Sequence, residues 1–309
     1  MQKFLLILLI LQLVSFKASN ADDNSSNLNQ KKSDNKIKIA SSINPLYQII
    51  LAITGDKADN FLVFKSNFSE HNYQLKSDDV KVLQKVDLIF MIDEGYEKTL
   101  FKLIKNSPLK NKFFTVTEIE KINLYKTRNS SNYIDYHLWL NPDNAILIAD
   151  SVVSKLCIND QKNCQFYEQN LVKFKQENQQ VISLINKKLI KIKEQNFIFY
   201  HDCYQYFEKY FNLTPIMVID YNHALDIKIN KLKLVDEIAK NNKIKCLFGD
   251  INDEKNSAMK IAKNYNIKFQ KLNVIGLNNE NIDNEKILKN NGYNQILLNI
   301  VDNIEKCLN

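Results

Sequence analysis

Three histidines stand where short apolar runs give way to loops or helices: His71, His137 and His201. The chain holds 4 histidines in 309 residues, so three in matching positions stand out. Chain positions of this kind face the crevice at the carboxyl ends of parallel strands, where open α/β sheets bind ligands. Neutral imidazole is a good ligand for borderline metals, and three of them leave one position for water or a carboxylate. The spacings of 66 and 64 residues match no local motif, so the fold itself must assemble any site. Glu70, beside His71, is a candidate fourth ligand through a carboxylate oxygen. His223 sits between a strand and a helix and reads as a surface residue. Cys203 lies two residues past His201. A thiolate there would bind zinc tightly, but a helix starting at Asp202 would turn it inward to packing, as a small apolar side chain.

Other chemistries lack their motifs. The 5 glycines form no phosphate cradle or dinucleotide fingerprint. Neither a nucleophile elbow nor HExxH occurs. The expectation is a binding protein and not an enzyme. The formal charge is +7, with basic residues scattered among acidic ones, which is no nucleic-acid footprint.

Residues 1–21 read as a secretory signal: Lys3, then an apolar run over 4–14 broken by Gln12, then Ser19-Asn20-Ala21 for cleavage. The run is too short for a stable membrane span, and no cysteine sits at the cleavage point for lipid attachment. Without Lys3 and Lys17, +7 becomes +5. No later run approaches a span, so the mature chain is expected to be exported and not inserted in the membrane. The 5 cysteines then suggest up to two disulfides and one free thiol. Cys157 and Cys164 could close a short loop. A Cys246–Cys307 bridge would tie the last helix to a sheet and contribute about 4 kcal/mol by loop entropy.

The elements that must position the histidines follow from an alternation of apolar runs and amphipathic stretches. Polar residues 22–35 read as a tether. Strands are expected at 36–42, 60–65, 86–92, 112–116, 197–200, 215–219, 244–250 and 267–275. Asn44-Pro45 and Asn141-Pro142 are helix starts, with proline suited to the first turn. Residues 165–195 keep apolar side chains at helical spacing with no Gly or Pro, which predicts one helix of about 30 residues joining two lobes. The fold class is therefore α/β: two lobes with mainly parallel sheets joined by one long rigid helix, the metal site in the cleft between them. The divisions are 36–160 for the N-terminal lobe, 161–195 for the linking helix and 196–309 for the C-terminal lobe.

SEHNYQLKSDDVKVLQKVDLIF (69–90), DYHLWLNPDNAILIADSV (135–152) and FYHDCYQYFEKYFNL (199–213), taken in order, resemble the metal-binding proteins of bacterial zinc and manganese ABC importers, especially the ZnuA-like zinc branch. The resemblance runs from about residue 38 to the C-terminus. It implies a two-lobed periplasmic protein, expected to be a monomer, that holds metal between its lobes and delivers it to a membrane permease. It places His71, His137 and His201 on the family's three histidine ligands. Histidine at the third position implies Zn²⁺, since manganese members typically carry glutamate there. Glu70 matches an acid that serves some zinc members as an accessory ligand, and Cys246 and Cys307 match a disulfide pair of that branch. Two features depart from the pattern. Asn273 stands where the family usually has an acid, and residues 118–134 lack the histidine-rich loop of many zinc members. Manganese or iron cargo, a three-histidine zinc hydrolase and an adhesin are the alternatives the same residues allow.

Overall fold

Strands form where apolar runs are short enough to be buried on both faces. In the computed structural model, the described residues are 35–65, 75–128, 132–220, 229–241, 243–251, 253, 256–277 and 292–309. The expected signal segment 1–21 lies outside them, as do Glu70, His71 and His223 and all of the tether but Asn35. The first lobe holds β1 (Ile37–Ser41), α1 (Asn44–Thr54), β2 (Ala58–Leu62), α2 (Ser77–Lys85), β3 (Leu88–Met91), α3 (Lys98–Lys105) and β4 (Phe113–Thr115). Two helices follow, α4 (Pro142–Asn159) and α5 (Cys164–Ile190). The second lobe holds β5 (Phe197–His201), α6 (Gln205–Phe211), β6 (Met217–Asp220), α7 (Ile229–Asn241), β7 (Cys246–Asp250), α8 (Ser257–Asn264), β8 (Lys268–Leu272) and α9 (Tyr293–Leu308).

The sheet orders are β2-β1-β3-β4 and β6-β5-β7-β8, with every pair parallel. In each, the order reverses beside the first strand, β1 or β5. The carboxyl ends of these strands therefore open onto a crevice not covered by a crossover. Burial follows the topology. All residues of β3, β5 and β7 are buried, as central parallel strands require.

Four of the boundaries that differ from the sequence reading have a physical reason in the structure. The second strand starts two residues earlier, because β2 is an edge strand whose polar Ala58-Asp59-Asn60 pairs with β1. Register with the neighbour, not the apolar run, sets its position. The long helix ends at Ile190, where tighter turns bring Ile192 and Lys193 N–H groups onto the Leu189 carbonyl. The eighth strand ends at Leu272, since Asn273 folds its side chain into a turn. The helix expected from Asp202 starts at Gln205.

Helix α5 buries Phe174, Asn178, Ile182, Ile185 and Leu189 on one stripe and packs against α1 and α4 of one side and α9 of the other. It is thus a shared wall. One apolar core runs from Ile39 and Ile89 through Trp139 and Ile185 to Phe199, Phe248 and Leu297. A smaller cluster (Ile198, Tyr200, Ile219, Leu247) covers the other face of the second sheet. Disulfides join Cys157 to Cys164 and Cys246 to Cys307. The turn after β8 ties the lobes. Val274 and Ile275 carbonyls accept from Trp139 Nε1 (2.9 Å) and Asn44 Nδ2 (2.8 Å).

Two buried carboxylate arrangements make predictions. Arg128, from the loop before α4, meets Glu208 Oε2 at 2.6 Å and Asp202 Oδ1 at 3.3 Å across the lobes. Both acids are buried. Arg128→Ala should cost about 2–3 kcal/mol in urea unfolding, the low end for breaking a buried pair because Arg128 is a quarter exposed. The loss should shrink as pH falls and the two carboxyls take up protons.

Glu97 accepts from Ser42 Oγ and from the N–H groups of Ile92 and Asp93 at the ends of β1 and β3. Burial pushes its carboxyl from 4.5 up to about 7, against the hydrogen bonds it accepts. The folded chain therefore holds this proton between those two values while the unfolded chain has lost it. Stability should fall as pH rises through that window, and Glu97→Gln should flatten that part of the denaturation-midpoint profile.

Candidate metal centre

His201 closes β5, the strand at which the second sheet reverses order. Its ring is buried, with 4% of the residue exposed. His137 reaches the same place by another route. It ends no strand, in contrast to the sequence expectation. β4 stops at Thr115, and the described residues between 119 and 137 carry one isolated bridge, Lys126 to Ile134. His137 then opens a 3-10 turn, Leu138–Leu140, whose apolar residues are all buried. Asn141 caps α4 immediately after, its side chain accepting from Asp143 N at 2.8 Å. The buried turn anchors the backbone beside His137.

Asp135 holds the ring. Its Oδ1 accepts from His137 N (3.0 Å) and lies 2.8 Å from His137 Nδ1, while Oδ2 accepts from Gln205 Nε2 (3.1 Å). Burial works to raise the Asp135 carboxyl, but the hydrogen bonds and charge of His137 outweigh it and hold it below the usual carboxylate range. An ionised carboxylate only accepts, so Nδ1 carries the hydrogen and Nε2 is the ring's donor atom toward a metal. The His137 and His201 ring centroids are 5.8 Å apart at 73°.

Cys203 completes the cluster. The sequence reading turned it inward to packing, and Cys203 is fully buried in the main core, though on the stretch before α6, which begins at Gln205. Its thiol lies with the imidazoles: donor atoms of His137, His201 and Cys203 are all within 4.8 Å of one another. Tetrahedral zinc with bonds of about 2.0–2.3 Å sets its donors roughly 3.3–3.6 Å apart. The cluster is therefore near metal-binding size, and two imidazoles with a thiol suit a borderline cation. Burial pushes the thiol well above its ordinary value, reinforced by Asp250. Cys157, Cys164 and Glu168 also converge, but there the two sulfurs are bonded to each other.

Asp135, Gln205 and Arg128 were missed in the sequence. Asp135 had a signal: an acid two residues before a ligand histidine, in DYH, can fold back on it. Arg128 and Gln205 had none, since their partners are 80 and 70 residues away. Asn273 uses its side chain locally, accepting from Gly276 N (2.8 Å) and donating to Leu277 O (2.6 Å).

Known proteins give this geometry a context. The family described as "Zinc-uptake complex component A periplasmic" matches residues 39–307. The manganese ABC transporter substrate-binding lipoprotein PsaA of Streptococcus pneumoniae is 27% identical over 252 residues, covering 77% of this chain and 79% of the relative. The high-affinity zinc uptake system protein ZnuA of Haemophilus ducreyi is 22% identical over 295 residues, covering 87% and 93%. A crystal structure of ZnuA shares the fold with a TM-score of 0.74 at 20% identity, covering 89% of this chain and all of that one. A Mn-bound periplasmic metal-binding protein from Candidatus Liberibacter asiaticus does so at 0.73 and 20%, with the same coverage. With the match spanning nearly every element of both lobes, the chain belongs to the zinc-uptake complex component A family and is a metal-binding, non-enzymatic component of an ABC importer.

Proposed function

We propose that the protein is the high-affinity zinc-binding component of its importer: exported to the periplasm, it captures Zn²⁺ and hands it to the membrane permease. His71, His137 and His201 are the ligands in this reading, with Glu70 as an accessory oxygen. The observation that carries it is the convergence of His137 and His201 beneath a carboxylate that orients one ring. A pair of imidazoles with a nearby sulfur favours zinc over manganese, which prefers oxygen. One relative named for zinc uptake covers most of the chain and supports the same cargo. Manganese is the second reading, supported by the relatives named as manganese transporter components.

Calorimetry on metal-stripped protein tests the reading. The wild type should bind one zinc tightly, and a His71→Ala, His137→Ala, His201→Ala triple variant should not. Asp135→Asn keeps the shape but loses the charge behind His137 and should weaken zinc roughly 10–100-fold. Affinity should fall with pH, since protons compete for the imidazoles. Tight zinc binding in the triple variant would remove the site. Manganese displacing zinc at equal concentration would replace zinc as cargo.

A further inference from the structure

We propose that Cys203 is a direct ligand of the captured ion, its thiolate taking the place of a carboxylate as fourth donor and setting the cargo preference. The inference rests on the reading of His137 and His201 as metal ligands. It goes beyond that reading in naming a sulfur donor.

Three observations carry it. The first is geometric: Cys203 Sγ, and no carboxylate oxygen, joins the two imidazoles in the mutually close donor set among the described residues. The second is local. Asp202 N donates to the Asp220 carbonyl at 3.0 Å, and α6 starts only at Gln205. Cys203 therefore lies in the bend between strand and helix, where no helical direction turns its thiol away from the rings. The third is that the neighbouring polar side chains are already committed. Asp135 is bound to His137 and Gln205, and Arg128 lies against Asp202. Asn273 is closed into its own turn. The Cys203 sulfur lies 3.9 Å from Asp250 Oδ2 and beside the Tyr204 hydroxyl.

Coordination forms a metal–sulfur bond and releases the thiol proton to solvent. A thiolate is a soft donor, so imidazoles joined by one sulfur favour zinc, cobalt and cadmium over manganese. Selectivity would then reside in a side chain two residues from a histidine ligand.

Cobalt(II) reports sulfur ligation directly, because a thiolate–cobalt bond gives an intense near-ultraviolet charge-transfer band that imidazole and carboxylate do not. The other four cysteines are paired in disulfides, so Cys203 is the thiol that can produce it. Full-length, metal-stripped wild type titrated with cobalt should develop that band together with the visible bands of tetrahedral cobalt, saturating at one equivalent. Cys203→Ser should lose the charge-transfer band, keep visible bands and show a narrower zinc-over-manganese preference in competition. Stoichiometric cobalt binding by the wild type without the band would overturn sulfur ligation and leave the histidine site standing. A band that survives in Cys203→Ser would overturn the assignment as well. Absence of stoichiometric binding of either cobalt or zinc would sink the histidine site and this inference together. The wild-type spectrum decides the matter even if the variant folds poorly.

Discussion

The carboxylate of Asp135 is the contact on which the site turns. It sits on a loop of the first lobe, fixes the direction of His137, and takes a hydrogen bond from Gln205 at the start of α6 in the second. Tyr206, the next residue of that helix, donates to the Asp135 carbonyl at 2.8 Å and accepts from Tyr125 N at 2.9 Å. One short segment thus orients an imidazole and also registers the lobe that supplies His201. A charge buried this deeply is costly unless its oxygens are satisfied. Here both oxygens are, so the contact holds the ring in one orientation.

Electrostatics around the cluster favour a cation. Asp135, Asp202, Glu208 and Asp250 are all buried, Asp135 against His137 and Asp250 against the Cys203 sulfur. Arg128 is the cation seen against Asp202 and Glu208. Burial raises Asp202 and pushes Glu208 up to about 7, in each case against the pull of Arg128. Carboxyls held out of water beside imidazoles gain from a nearby divalent ion, because its charge offsets the desolvation that raises them.

Structural kinship fixes the fold more firmly than the cargo. The laminin-binding adhesin of Streptococcus agalactiae has a TM-score of 0.74 to this chain at 20% identity, close to that of ZnuA. Backbone likeness at this level reflects the shared two-lobed frame and its core. Cargo choice depends on a few donor atoms whose exchange leaves the frame untouched.

Much of the frame was legible in the residues. Apolar runs such as LIFM and FIFY can be satisfied only as central parallel strands, and the unbroken amphipathic stretch after Cys164 only as a long helix. The prolines at 45 and 142 marked helix starts because their rings fit the first turn. The pairing of His137 with His201 had a signal too, since imidazoles are scarce here. What tertiary structure decided was direction. Cys203 lies with the rings because α6 starts late, a shift of three residues that periodicity cannot resolve. Asn273 leaves its strand because a turn captures its amide. Asp135, Gln205 and Arg128 gained their roles from partners brought close by folding. The sequence by itself specifies which atoms are able to bind a metal; only packing across the chain, by setting where each element ends, decides which of them face the same point.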